Sequence, residues 1–106
     1  MSIATEIVTF KTAEGVVRES FIKIVDELER DFHSKEPGFI DTELLYNDKA
    51  EEWIMIQHWD SLENMKLASA NMFRNPVTAA FVRSLNPKTV NMQRFMQLGS
   101  WNCVEP

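Results

Sequence analysis

The chain has 106 residues, which is the size of one domain. Its formal net charge is −5, and its lysines and arginines are dispersed among acidic residues, so the sequence argues against binding to nucleic acids or anionic membranes. No stretch has the length or apolar character of a signal or transmembrane segment, and we expect a cytoplasmic protein. The single cysteine, Cys103, cannot form an internal disulfide, which fits a reducing compartment.

The first two predicted elements are a strand and a long helix. Apolar residues interleaved with threonine predict a strand over residues 3–11. Apolar residues then recur at steps of three and four, which predicts a helix over residues 13–34 with Thr12 as its N-cap. The segment Glu36-Pro37-Gly38 ends this helix, because the residue before a proline avoids the helical region.

Two further strands follow and form a predicted hairpin. Apolar and β-branched residues are dense in residues 39–46 and again in residues 51–59. The polar tetrapeptide at residues 47–50 separates them and has the composition of a turn.

The second half of the chain contains two predicted helices and a last strand. Asp60 and Glu63 have the spacing of a capping box, which predicts the start of a helix. Asn75-Pro76 predicts the start of another, because proline is favoured at the first helical position, and Asn86-Pro87 ends it. Residues 90–98 then predict a strand, with Met92 and Met96 on one face and Phe95 on the other.

The order of these elements is β-α-β-β-α-β, the ferredoxin-like arrangement of an α+β fold, in which helices cover one face of an antiparallel sheet. We expect a single domain over residues 1–106, with a core at about 3–98 and a short tail that is either loose or held by some docking of Trp101. Val8, Ile54 and Ile56 cannot all face the helices together with their neighbours. The uncovered face is therefore expected to bind a second copy of the chain.

Two segments of the chain resemble the antibiotic biosynthesis monooxygenase family. They are Glu36-Pro37-Gly38-Phe39 and the run from Glu52 through His58, Trp59 and Asp60 to Glu63. The resemblance implies a dimeric α+β barrel, in which two ferredoxin-like protomers pack their sheets together. It also implies one of several activities, which include cofactor-free oxidation of aromatic substrates, haem degradation and isomerisation of small metabolites.

The candidate site residues follow partly from this resemblance and partly from side-chain chemistry. By resemblance, Trp59 lines a cleft between helices and sheet, although core packing is an equal alternative. His58 can take or give a proton near pH 7, and Tyr46 can hydrogen-bond a phenolic substrate. Met65 and Met72 can give a pocket an adaptable lining. The alternatives are a hydrogen-bonded surface role for His58 and a half-buried structural role for Tyr46.

Other titratable residues point to structural roles. His33 lies near the end of the first predicted helix, where a cation suits the helix dipole. Cys103 lies beside no evident base, so it is not expected to act as a nucleophile. In the family, a histidine commonly lies on the helix after Trp59, but residues 66–70 read Lys-Leu-Ala-Ser-Ala, which argues against the haem-degrading branch.

No metal or cofactor is expected. The two histidines and one cysteine show no metal-ligand spacing, and no glycine-rich phosphate-binding pattern occurs. The resemblance to the family implies a cofactor-independent monooxygenase that acts on a small aromatic or quinol-like substrate, with His58, Tyr46 and Trp59 closest to the chemistry, and a sequence without metal or cofactor motifs fits this activity. Two alternatives stay open: a non-enzymatic dimeric module that binds a small hydrophobic molecule or serves as an accessory protein, and an isomerase that uses His58.

Overall fold

The computed structural model describes residues 2–102. In this part of the chain, four strands form one antiparallel sheet, and helices cover one of its faces. The strands are β1 (Ala4–Phe10), β2 (Phe39–Asn47), β3 (Glu52–Trp59) and β4 (Asn91–Met96), in the spatial order β2-β3-β1-β4. The α-helices are α1 (Arg18–Asp31), α2 (Leu62–Met72) and α3 (Ala79–Arg83), with 3-10 turns at His33–Lys35, Pro76–Thr78 and Pro87–Thr89.

This order of elements and strands confirms the predicted ferredoxin-like β-α-β-β-α-β fold. β3 lies between β1 and β2, and these two strands run parallel to each other because each is antiparallel to β3. Every hydrogen-bonded pair of strands is antiparallel. In residues 2–102, no helix is long and apolar enough to cross a membrane.

The predicted start of the first helix is wrong by five residues. α1 begins at Arg18 with Val17 as its N-cap, rather than near Ala13 with Thr12 as the cap. The reason is tertiary. Thr12 forms an isolated bridge with Leu85, and neighbouring backbone hydrogen bonds hold residues 11–13 against residues 84–86 in extended form. The helix therefore starts only after this pairing ends.

The caps of the later helices agree more closely with the sequence. The cap of α2 is Ser61, one residue after the predicted Asp60, and its Oγ accepts a hydrogen bond from the backbone N–H of Asn64 at 3.1 Å. Asp60 instead accepts from the Asn64 side chain at 2.8 Å. Asn75 caps the Pro76–Thr78 turn as predicted, since its Oδ1 accepts from the Val77 backbone N–H at 3.1 Å.

The side chains between sheet and helices form two separate hydrophobic clusters. The larger packs α1 and α3 on the sheet and consists of Phe10, Phe21, Val25, Leu28, Phe32, Trp53, Met55 and Phe81. The smaller packs α2 on the sheet and consists of Ala4, Trp59, Met65 and Ala68. Because the apolar side chains form two clusters and not one, side chains that are not apolar lie between the clusters.

The sheet surface that faces away from the helices, here called the open face, carries both apolar and polar side chains. Ile54 and Ile56 lie on it, as does the exposed Leu45, whereas Val8 is opposite Met55 and faces the helices. The prediction that apolar residues occupy both faces is therefore confirmed, but Val8 is not one of the uncovered ones.

The last strand and the segment after it lie at the sheet edge. β4 pairs with β1 only, and its register confirms that Met92 and Met96 share one face while Phe95 lies on the other. Trp101 is 89% exposed, so the expected docking of Trp101 is wrong for this chain by itself. Just after β4, the backbone N–H of Gln97 donates to the carbonyl oxygen of Ile3 at 2.9 Å, and Leu98 is exposed.

Candidate functional site

A row of four polar side chains crosses the sheet on its helix side. Thr42 of β2 is opposite Gln57 of β3, Gln57 is opposite Glu6 of β1, and Glu6 is opposite Arg94 of β4. This polar row lies between the two hydrophobic clusters. Glu6 is 6% exposed and Gln57 is 3% exposed, which is rare for a carboxylate and an amide unless they are paired.

The Glu6 end of the polar row is paired with groups from two other elements. Its Oε2 accepts hydrogen bonds from Ser69 Oγ of α2 at 3.3 Å and from Arg94 Nε at 3.4 Å. The Arg94 side chain is partly exposed, so the ion pair opens toward solvent on one side only. This buried carboxylate therefore has a cation and a hydroxyl as its partners.

The Gln57 end of the polar row meets His33, which is 3% exposed. His33 Nδ1 lies 2.5 Å from Oε2 of Glu29, one helical turn earlier in the chain. The Gln57 amide nitrogen lies 3.1 Å from His33 Nδ1 and 3.2 Å from its Nε2, and it also donates to Thr42 Oγ1 at 3.0 Å. A carboxylate, an imidazole, an amide and a hydroxyl are therefore connected in one polar group.

Three aromatic rings surround the His33 imidazole. The Phe39 ring stacks against it at 5.7 Å between centroids, and the Phe32 and Trp59 rings approach edge-on at 5.0 and 6.0 Å. These rings fix the plane of the imidazole and keep water away from it. The sequence position of His33 near a helix end had suggested only a charge on the helix dipole; the structure confirms the position after α1 and adds that the residue is buried.

A cavity of about 280 Å³ opens beside these polar groups, between the sheet and the helical segments; we call it the helix-side cavity. Its polar residues are Glu6, His33 and Gln57; Gln57 is the neighbour of both of the others, so the three form one polar side. The rest of the lining is apolar and comprises Val8, Phe10, Met55, Met72, Phe73, Phe81, Val82, Leu85, Pro87, Val90 and Met92. An apolar pocket with a few convergent polar groups is the usual form of a small-molecule site.

Of the five residues predicted to form the site, Met72 lines this cavity. Trp59 and Met65 are fully buried in the smaller hydrophobic cluster, at 1% and 0% exposure. Trp59 does not line the cavity, but its ring contacts the ring of His33, which does. Its Nε1 is buried without a hydrogen-bond partner in residues 2–102.

His58 and Tyr46 lie elsewhere. His58 projects from the open face, where its Nδ1 lies 2.7 Å from Asp41 Oδ1. Tyr46 packs on Trp53, and the Arg18 guanidinium lies over its ring at 4.4 Å. Interactions with Tyr46 first and with Asp48 second raise the pKa of Arg18 above its ordinary value. Neither His58 nor Tyr46 lines the helix-side cavity.

The residues that sequence reasoning missed are Glu6, His33 and Gln57. Two of them carried a signal. Glu6 alternates with Ala4 and Val8, and Gln57 lies between Met55 and Trp59, so each is a polar residue at an inward position of its strand. His33 carried no such signal, because its burial depends on the chain turning after α1.

Other chemistry is not brought together in the described part of the chain. Among residues 2–102, no three His, Cys, Asp or Glu side chains are arranged to hold a metal ion. Cys103 lies outside the described residues.

Comparison with solved structures shows the same fold in proteins of low sequence identity. A protein of Chloroflexus aurantiacus J-10-fl, described as a candidate antibiotic biosynthesis monooxygenase, matches with a TM-score of 0.69 and 18% identity, over 95% of this chain and 98% of that one. SnoaB, a cofactor-independent oxygenase from Streptomyces nogalater, matches with a TM-score of 0.63 and 17% identity, over 99% and 100%. Rv0793 from Mycobacterium tuberculosis matches with a TM-score of 0.69 and 13% identity, over 95% and 100%.

No protein of curated function matches the chain. The family model of the antibiotic biosynthesis monooxygenases matches residues 3–71, which run from β1 nearly to the end of α2 and include Glu6, His33 and Gln57. This match covers well over half of the chain and agrees with the fold and with the expected resemblance. The chain therefore belongs to the antibiotic biosynthesis monooxygenase family.

Proposed function

We propose that this protein is a cofactor-independent monooxygenase that oxidises a small aromatic or quinol-like compound in the helix-side cavity. The observation that carries the proposal is the form of the cavity, which is apolar except for one polar side of Glu6, His33 and Gln57. A flat hydroxylated ring system would bury its rings against the apolar lining and direct its hydroxyl to the polar side. The cavity volume suits a ligand of a few rings.

The chemistry needs little from the protein besides a base and a dry site. An anthrone-type substrate reacts with O₂ so that its CH₂ carbon becomes a ketone: one oxygen atom enters that carbon and the other leaves as water with the two hydrogens. The carbon supplies all four electrons that O₂ takes up. The protein must remove a proton to make the electron-rich anion, hold that anion, and exclude water.

Family membership supports this activity, and the structural likeness to SnoaB, described as a cofactor-independent oxygenase, points the same way. The family match ends at residue 71, whereas most of the apolar lining, from Met72 to Met92, lies after it. We infer that the polar side performs the chemistry and that the later segments select the size of the substrate.

Of the predicted site residues, Met72 is proposed to contact the substrate. Trp59 is proposed to act through the His33 ring rather than by touching the substrate, and Met65 to pack behind it. The catalytic roles of His58 and Tyr46 stay predictions, and their positions outside the cavity favour the polar side instead. A cytoplasmic location also stays a prediction.

We further propose that the protein is a homodimer joined through the open face. Ile54 and Ile56 lie in the middle of this face, and Leu45 and Phe95 flank them with exposed side chains. An apolar sheet face of this kind is stabilised when another surface removes it from water. A second copy offers the same face by symmetry, and polar neighbours such as Glu43 and Gln93 would set the angle at which the two sheets meet.

Oxygen consumption tests the oxygenase proposal. The protein is mixed with a panel of anthrones and dihydroxyarenes in buffer that contains a metal chelator, and O₂ uptake is followed with an electrode. We expect uptake with at least one compound of up to three rings. If no compound gives uptake above the buffer rate, the oxygenase proposal fails.

A cavity-filling pair of variants provides the control. Val8→Phe places a ring in the helix-side cavity and is expected to lower uptake by at least tenfold, whereas Val17→Phe makes the same change at an exposed position before α1 and keeps the wild-type rate. Thermal stabilisation by a compound that is never oxidised would instead support the non-enzymatic binding module. Conversion of a compound to an isomer without O₂ uptake would support the isomerase.

A further inference from the structure

We propose that His33, held by Glu29, is the catalytic residue that takes the hydroxyl proton of an acidic hydroxyarene in the helix-side cavity. The inference rests on the proposed function and adds the proton acceptor and the substrate class. It assigns the acid–base step to a residue on the turn after α1, on the opposite side of the sheet from His58.

The contact between Glu29 and His33 sets the protonation pattern of the imidazole. Glu29 Oε2 lies 2.5 Å from His33 Nδ1, so it can accept a charge-assisted hydrogen bond from the Nδ1–H group. A neutral imidazole with its proton on Nδ1 has a free lone pair on Nε2, which is the tautomer that accepts a proton. The carboxylate therefore selects the tautomer that a general base requires.

Gln57 holds the ring without occupying that lone pair. Its amide nitrogen is almost equally distant from Nδ1 and Nε2, at 3.1 and 3.2 Å. If the Gln57 amide nitrogen lay in the plane of the ring at those two distances, it would overlap Cε1, the carbon between the two ring nitrogens. It therefore lies over the face of the ring. Its N–H toward Thr42 Oγ1 fixes the amide in this position. Gln57 is thus a positioning residue for the imidazole.

Glu29 is the ionisable group among the described side chains that contact the His33 ring. The groups that face the ring are Glu29 from α1, Gln57 from β3 and the aromatic rings of Phe32, Phe39 and Trp59. Glu29 Oε1 is buried without a hydrogen-bond partner in residues 2–102, so this second carboxylate oxygen can still accept a hydrogen bond. An imidazolium formed here would be stabilised by a full ion pair in a site with little water.

The other acid on the polar side is already engaged. Glu6 Oε2 accepts from Arg94 and Ser69, so a proton on that oxygen would displace one of these bonds.

The proposed step is a single proton transfer. The substrate O–H bond breaks and an Nε2–H bond forms on His33, while the electron pair of the broken bond stays on oxygen as an arylate. No electron leaves the substrate in this step; the arylate then donates its electrons to O₂.

A binding experiment with 2-naphthol separates proton transfer from oxidation, because naphthol and its anion absorb at different wavelengths. Full-length protein is mixed with 2-naphthol under nitrogen, and the absorbance is titrated against pH. We expect the wild-type protein to lower the midpoint of naphthol ionisation by about one pH unit or more. His33→Gln should return the midpoint to that of free naphthol while naphthol still binds.

Glu29→Gln keeps the imidazole and removes only its counter-charge, so it should lose most of the shift even if His33→Gln folds poorly. Glu27→Gln makes the same change at an exposed position of α1 and should keep the shift. Binding with an unshifted midpoint in the wild type would overturn the proposal, as would a shift that is lost in Glu6→Gln or His58→Gln but not in His33→Gln. Folded wild-type protein that binds no naphthol would overturn it too.

The outcomes also separate this inference from the proposed function. A His33-dependent shift without O₂ uptake from any substrate would retain the proton acceptor and reject the oxygenase. Uptake that His33→Gln leaves unchanged would retain the oxygenase and reject His33 as its base.

Discussion

Glu6 and Gln57 lie directly opposite each other on the two central strands, and both are almost fully buried. Their side chains point to the helices at the boundary between the two hydrophobic clusters. Buried polar groups in the middle of a small sheet cost stability unless they are hydrogen-bonded. At this pair, the fold therefore places polar groups where apolar packing would otherwise continue between the two clusters.

Gln57→Leu should destabilise the protein by about 1–3 kcal/mol, because it leaves Thr42 without its donor and His33 without the amide over its ring. Glu27→Leu also replaces a polar side chain with leucine, but at an exposed position of α1, and should alter stability by about 0.5 kcal/mol or less. Urea denaturation measures both. Equal effects at the two positions would show that the buried network does not contribute to stability.

Gly38→Ala should be more costly than Gly15→Ala, although both glycines have positive φ angles, of 82° and 85°. At Gly15 an added Cβ meets nothing within 4 Å, so only the backbone strain of about 1–2 kcal/mol applies. At Gly38 it would overlap Asp60 Oδ1 and lie 2.8 Å from Asn64 Cβ, which would disturb the start of α2. Thermal unfolding of the two variants checks this, and matching melting temperatures would contradict it.

Trp59→Phe should change the free energy of unfolding by less than about 1.5 kcal/mol, because it removes a buried N–H without a partner along with part of the ring. Trp59→Ala should cost about 3–5 kcal/mol, since it leaves a cavity in the smaller hydrophobic cluster. Urea denaturation compares the two. If the phenylalanine variant is as unstable as the alanine variant, Nε1 is hydrogen-bonded in solution and the packing argument is wrong.

Ile56→Asp should convert the proposed dimer to a monomer, because it places a charge in the middle of the open face, opposite Glu43 on the neighbouring strand. The side chain is only partly buried in the single chain, so the fold itself should survive. Leu67→Asp puts the same charge on the exposed side of α2 and should leave the dimer intact. Sedimentation at micromolar concentration decides, and a wild-type monomer would refute the pairing of open faces.

Much of the fold could be predicted because its signals are local. In the turn between β2 and β3, the Asn47 side chain accepts a hydrogen bond from the Ala50 backbone N–H at 3.0 Å. At Asn75-Pro76, the Asn75 side chain accepts a hydrogen bond from the backbone N–H of Val77, two residues later. Alternation along β4 predicted which face each side chain takes, because a strand has a strict period of two. The start of α1 could not be predicted in this way, since Thr12 pairs with Leu85, far along the chain.

The sequence by itself determined the order of strands and helices and the apolar character of both sheet faces. Those properties depend on residue type and spacing within short segments. Only the tertiary structure decided where the site lies. It turned His58 to the open face, buried His33 among aromatic rings, and aligned Glu6 with Gln57 across two strands that are more than 40 residues apart. Register between distant strands, and the path of the chain after a helix, depend on packing of the whole domain, and that packing brings the polar side together.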